Sequence, residues 1–538
     1  MKYKEFYMED EYFYFDKKKL TLKFISRYYR FGTPSEIEGI VSYDEDIAIL
    51  LSDTKDSTDF NIIFKYNREI KNSGFRLDVD AEKEVVIEAS DERGIRNGYT
   101  EFCNHIKKTS KGIYVPKLII NHEPTLKLSG IIEGFYGTPW THENRLDCIR
   151  FIGQECMNTY MYAPKDDVYH RDKWRILYPE CKVLEFKEMI NECKKNHIEF
   201  YYMIAPGKDF DFTIEDEYIA LKSKLMQLIK LGISNFGVLM DDIEYRISDQ
   251  TKRKFPTPAH AQAYIVNNIY YFLKENLEDF SLVMCPTEYD IDYDTPYLHT
   301  LGKNLLSEIK VFWTGNETLS HRITKESFEN IQSILNHDII IWDNIPVNDF
   351  EKDKEFIFIA PYENRSPYLS SNNLDGIVLN PMDKWEASKF TLASFAQYAW
   401  NANDFRGKDD FKKAIQRVIG AEFTEDMYIL SQYFRNSRVS SSLPFYLFDM
   451  LNQRDVDGID NELNKLWNAT NRIKSIKSNT LVDSIMPWLL RIEREKNLWK
   501  TFKSGDIEEV KKQIEVLNKE SYKVPANLVI RIINKIIE

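Results

Sequence analysis

The sequence predicts an α/β protein: a (β/α)8 barrel preceded by a small α+β domain and followed by a helical bundle. Three observations carry this. From Leu126 to about Asn403, eight short apolar runs alternate with helical spacings; residues 1–122 hold mainly short runs with period-two character; beyond Asn403, apolar residues recur every three or four positions. The expected domains are 1–122, 123–404 and 405–538.

In the first region DIAILLSD, FNIIFKYN, GFRLDVD and KEVVIEAS read as strands. A helix is expected near Arg93 to Lys107, and GIYVPKLII as one closing strand. No polar groups converge there, which makes the region a scaffold.

The barrel strands read KLSGIIEG, NTYMYAPK, IEFYYMIAPG, FGVLMDD, SLVMCPTEY, KVFWTG, DIIIWDN and DGIVLNPM, each followed by enough chain for a crossover helix. Such crossovers imply parallel strands, and eight units in roughly 280 residues approach the size of a barrel. A doubly wound sheet is the competing architecture, but it seldom needs eight repeats and no G-x-G-x-x-G opens the first unit.

Beyond Asn403, FKKAIQRVIG, EDMYILSQYFRNS, DNELNKLWNATNRIKSI, LVDSIMPWLLRIEREKNLWKTFKSG and DIEEVKKQIEVLNK carry helical spacing. Their Ile/Leu/Trp stripes read first as intramolecular core and second as a homodimer interface.

Composition narrows the partners. A net charge of -13 argues against nucleic acid or an anionic membrane and favours a neutral or cationic ligand. No eighteen-residue apolar run and no apolar segment of signal-peptide length occur, so a soluble, cytoplasmic protein is expected. The six cysteines form no CxxC and no Cys/His array, so they read as reduced thiols, and no metal or organic cofactor is called for.

Barrel chemistry sits where strands end. Those ends supply Glu133 and Gly134; Lys165, Asp166 and Asp167; Asp241 and Asp242; Thr287, Glu288 and Tyr289; Thr314; Trp342, Asp343 and Asn344; and Asn380. Polar groups among aromatic walls suit a sugar. The Asp241–Asp242 pair closes FGVLMDD, and taken alone it reads as a turn or cap as readily as a catalytic dyad. Retaining glycosidases ordinarily hold two carboxyls about 5–5.5 Å apart. Adjacent residues on a regular strand point to opposite faces, so both reach one ligand only where the strand breaks. Two adjacent carboxyls therefore suit an ordinary pair of nucleophile and acid poorly.

The runs GIIEGFYGTPWTHENR (130–145), TYMYAPKDDVYHRDKWR (159–175), MDDI (240–243), CPTEYD (285–290), WTG (313–315), WDNIPVNDF (342–350) and NPM (380–382) resemble glycoside hydrolase family 84. GFRLDV and VVIEASDERGIRNGYTEF are similar to the domain that precedes the barrel in that family. The resemblance implies a retaining exo-β-N-acetylglucosaminidase acting on O-GlcNAc-modified Ser/Thr, in which the substrate's own 2-acetamido carbonyl closes to an oxazoline and removes the need for a nucleophile from the protein. It implies that Asp241 orients the acetamide and Asp242 is general acid, then base, in different protonation states. It further implies that Tyr289 bonds the acetamide oxygen, Thr314, Trp342 and Cys285 line the acetyl methyl, and Asn344 steadies the dyad. Gly134, Lys165, Asp349 and Asn380 would bind the sugar hydroxyls. Read without the family, Trp342 and Cys285 serve equally as barrel core, and Lys165 as a partner of Asp166 or Asp167. The loops EYRISDQTKRKFPTPAH and EYDIDYDTPYL would sit above the rim, against the aglycone. Some family members dimerise through their helical region. Cleavage of terminal GlcNAc from glycans or hyaluronan fragments is a second reading, and a non-catalytic GlcNAc-binding module a third; release of the fluorophore from an aryl β-GlcNAc excludes the last.

Overall fold

In a computed structural model of the chain, the described residues are 61–79, 84–105, 117–244, 247–350, 353–369, 374–435, 445–524 and 527–537, with shorter segments elsewhere. Eight parallel strands close into a barrel: β1 (Leu128–Glu133), β2 (Thr159–Tyr162), β3 (Glu199–Ile204), β4 (Asn235–Leu239), β5 (Ser281–Cys285), β6 (Lys310–Trp313), β7 (Ile339–Asp343) and β8 (Leu374–Leu379). Closure comes from β1 against β8, Leu128 opposite Gly376 through Ile131 opposite Leu379. Every expected barrel strand is present.

The two-residue repeat sorts side chains into two cores. Ile132, Met161, Met203, Val283, Phe312 and Val378 fill the barrel lumen. Their neighbours Ile131, Tyr160, Tyr202, Met284, Val311 and Ile377 face outward, into the layer shared with the helices. With both faces buried, the strands read as near-continuous apolar runs.

Helices α1 (His142–Gln154), α2 (Glu180–Lys195), α3 (Glu215–Ile229), α4 (Pro258–Asn276), α5 (Pro296–Asn304), α6 (Lys325–Leu335) and α7 (Trp385–Trp400) surround the barrel. Thr141 opens α1 by accepting from the Asn144 N–H at 3.2 Å, leaving one fewer unpaired donor at that terminus. A helix after every strand is not found. Between β7 and β8 no helix occurs among the described residues, and the segment around Ile357, Phe358 and Ile359 is buried without regular secondary structure instead. Pro361 and Pro367 disfavour a helix there. The segment is fastened by helices beyond residue 405: the Ile359 N–H donates to the Phe434 carbonyl at 3.2 Å, and the Trp488 indole and Lys523 N–H donate to the Glu355 carbonyl, each at 3.0 Å.

Ahead of the barrel, strands Asn61–Tyr66, Phe75–Val79, Glu84–Ala89 and Leu118–His122 share a five-stranded sheet with Leu20–Lys23, backed by the Glu92–His105 helix. The expected single strand GIYVPKLII is two: Gly112–Val115 pairs with Ile49–Leu51, and Leu118–His122 with Phe75–Val79, in different sheets. Pro116, without an N–H, cannot continue one ladder through both. Arg93 donates to the His197 carbonyl at 2.8 Å and Arg96 to the Gly153 carbonyl at 2.6 Å, seating this region where α1 and α2 end. That is the barrel end opposite the strand termini. Among the described residues, no helix is long and apolar enough to cross a membrane.

Candidate active site

Alternation decides which strand-end residues enter the pocket. Continuing the inward positions of each strand past its last residue places Gly134, Lys165, Asp241, Cys285, Thr314, Trp342, Asn344 and Asn380 on the lumen side. Outward positions hold polar residues of another kind. Glu133 is fully buried against Arg145, accepting two donors at 2.9 and 2.8 Å, and from Tyr160 at 2.6 Å. Asp343 accepts from Arg365 and Tyr362; Asp167, of inward parity but carried away by the turn after β2, accepts from Tyr162 and Tyr178. These three, expected on the rim, are structural partners of the helix layer.

Asp241 keeps the alternation and is buried, 8% exposed. Asp242 breaks it: its φ of +53° lies in the left-handed region, turning an otherwise outward carboxyl back over the pocket, where it is exposed. This is the strand break that two neighbouring carboxylates need to share a ligand.

The two carboxyls meet different surroundings. Asp241 is paired with the buried Lys165 ammonium, and neither Asp166 nor Asp167 takes that partner. Burial alone would lift the Asp241 carboxyl, but the Lys165 charge and hydrogen bond, with Arg171 beyond, hold it below the ordinary carboxylate range. Asp242 accepts instead from two phenols, Tyr136 at 2.6 Å and Tyr289 at 3.1 Å.

The far wall is one connected network. Asn344 Oδ1 accepts from the Trp342 indole at 3.1 Å and from Asn380 at 2.9 Å, while Asn344 Nδ2 donates to the Thr318 carbonyl at 2.7 Å. Asn380 Oδ1 accepts from the Gly134 N–H at 3.2 Å. Asn344 is thus tied to the wall, not to the dyad. Asp349 accepts from the Tyr136 N–H at 2.8 Å, and burial lifts its carboxyl above the usual range. Thr314 donates its N–H to the Tyr289 carbonyl at 3.0 Å, setting that tyrosine's loop, and Cys285 and Trp342 are pocket floor and top of the barrel core at once.

Gly134 is there for Trp342. A methyl group at residue 134 would lie 2.3 Å from the indole Cζ2, so the ring must move. Gly134→Ala should cost about 1–3 kcal/mol by overpacking and raise KM for a GlcNAc glycoside, read by thermal unfolding and steady-state kinetics. An unchanged KM would contradict this placement.

Two residues escaped the sequence reading. Tyr136, in the EGFYGTPW turn, holds Asp242, and Arg171 donates to the Tyr136 oxygen at 2.9 Å. A solvent-facing tyrosine beside Gly137, whose φ is +106°, was the available signal for the first. None marked Arg171 among the charges of YHRDKWR.

Comparisons with known proteins agree with this architecture. The β-N-acetylglucosaminidase family model matches residues 129–432. The protein O-GlcNAcases of Rattus norvegicus and Mus musculus are each 38% identical over 286 residues, 52% of this chain and 31% of theirs. The chain therefore matches only about a third of the length of those curated relatives. The solved structure of CpGH84B superposes with a TM-score of 0.78 at 26% identity, over 87% of both chains. A point mutant of the Thermobaculum terrenum O-GlcNAc hydrolase gives 0.70 at 28% identity, over 77% of this chain and 94% of that one. With the family match spanning the closed barrel and every strand end that lines its pocket, the chain belongs to the β-N-acetylglucosaminidases of glycoside hydrolase family 84.

Proposed function

We propose that this glycosidase removes O-linked GlcNAc from Ser/Thr of proteins, with retention, through an oxazoline formed by the substrate's own acetamide. The observation that carries the reading is the split dyad: one carboxyl buried on a lysine, its neighbour turned by a left-handed residue and held by phenols. An ionised Asp241 suits the acetamide N–H and the positive charge that develops as the ring closes. Asp242, open to solvent, suits proton exchange with the leaving oxygen and then with water. Gly134, Lys165, Cys285, Tyr289, Thr314, Trp342, Asn344, Asp349 and Asn380 would surround the terminal sugar. The net charge of -13 supports a GlcNAc-bearing protein or glycan over nucleic acid as partner, and free cysteines at Cys148, Cys156, Cys181, Cys193 and Cys285 support a reducing, cytoplasmic setting.

The acyl group tests the mechanism. Fluorination of the acetyl methyl withdraws density from the attacking oxygen, so kcat/KM should fall progressively from acetyl through difluoroacetyl to trifluoroacetyl. A flat series would point to a nucleophile from the protein. An O-GlcNAc peptide compared with a chitooligosaccharide distinguishes protein from glycan substrates.

A further inference from the structure

Asp242 is reached by a chain of donors that begins outside the dyad. Arg171, 7% exposed, donates to the Tyr136 oxygen at 2.9 Å, and its guanidinium lies 5.6 Å from the centre of the Tyr136 ring. Tyr136 donates to Asp242 Oδ2 at 2.6 Å. A phenol has one proton, and because Arg171 occupies a lone pair, that proton is directed at Oδ2. Among the described residues, Oδ1 is met by the Tyr289 hydroxyl alone, at 3.1 Å, which can rotate to donate or accept. The charges facing Asp242 are the cations Lys165 and Arg171 and the carboxyls of Asp241 and Asp349; Tyr136, Tyr289 and the Cys285 thiol are the neutral titratable neighbours.

We propose that Arg171 and Tyr136 are positioning residues for Asp242: the pair locks Oδ2 as an acceptor, directs the acidic proton to Oδ1, and sets the upper pH limit of catalysis. This rests on the general-acid assignment above and extends it. A hydrogen bond donated to a carboxylate favours the ionised form, and one whose donor is itself held by a guanidinium does so more strongly. Removing it withdraws that preference for the ionised form.

The test is the pH profile of kcat/KM. With a phenyl β-GlcNAc, whose departure needs a proton, Tyr136→Phe should move the alkaline limb up by about one pH unit and leave the acid limb in place. Arg171→Met should raise both limbs, because Arg171 also holds Asp241 down. With a dinitrophenyl glycoside, which leaves unprotonated, the Tyr136→Phe alkaline limb should coincide with that of the wild type. A uniform fall in rate with unmoved limbs overturns the proposal and assigns Tyr136 a packing role. Should the wild type hydrolyse neither glycoside, the enzymatic reading fails, while a carbon-13 titration of the Asp242 carboxyl, identified by its loss in Asp242→Asn, still decides the inference. Protonation persisting to higher pH in Tyr136→Phe upholds it; an unmoved titration overturns it.

Discussion

Asp242→Asn should slow hydrolysis of a glycosylated serine by roughly 10²–10⁴-fold while leaving a dinitrophenyl glycoside far less affected in its first step. The amide fills the same space, so the difference isolates the proton that serine needs and dinitrophenolate does not. Asp241→Asn is the contrast: ring closure accompanies departure of either group, so both substrates should suffer alike. Equal losses in Asp242→Asn would remove Asp242 from the acid role. Steady-state kcat/KM on the two glycosides, with pre-steady-state traces to separate the steps, provides the measurement.

Lys165→Met should damage both folding and turnover, because it leaves a buried carboxylate without the counter-charge in contact with it and with only the more distant Arg171. Breaking such a pair typically costs about 3–5 kcal/mol, more than the pair itself contributes. The pH dependence has a definite sign. In the wild type the Asp241 carboxyl is depressed, so its stabilisation is present above the ordinary carboxylate range and fades as pH falls through the depressed value. Without Lys165, burial dominates and lifts the carboxyl instead, so the variant's deficit should be largest near neutrality and shrink on acidification toward about pH 4. A deficit independent of pH, in thermal unfolding across that interval, would mean the lysine contributes only packing. Turnover should fall on the order of 10²–10³-fold, as when one preorganised charge partner is removed, with the acid limb displaced upward.

Most of the barrel was legible because parallel strands buried on both faces write themselves as apolar runs, and eight in succession leave few alternatives. The pocket was legible only in part. Listing all polar residues at strand ends mixed two populations, and parity separates those close to the strand: Gly134, Asp241, Thr314, Trp342 and Asn380 continue inward positions and Glu133 and Asp343 outward ones, while Asp167, past a turn, departs from its inward parity to meet Tyr162 and Tyr178. Asp242 defeats that rule, since a left-handed φ at an aspartate leaves little trace in sequence. Arg171 was hidden for another reason: its partner Tyr136 lies 35 positions away in a different loop. The absent helix after β7 is a matter of composition, for Pro361 and Pro367 disfavour a helix through EFIFIAPYENRSPYL, and its apolar residues Ile357, Phe358 and Ile359 are buried without one.

That buried segment links the barrel to chain beyond residue 432, where the family match stops. The stretch running from Asn344 and Asp349 at the pocket wall continues directly to Glu355 and Ile359, whose backbone groups are satisfied by Phe434, Trp488 and Lys523. Two of those three anchors lie past residue 432, the limit of the family match, by more than fifty residues. The family match therefore ends before the last backbone partners of the segment that follows the pocket wall. A fragment cut at residue 432 would lose the groups that satisfy the Glu355 carbonyl and the Ile359 N–H, so the barrel's own wall after β7 is completed by chain that the family match does not include.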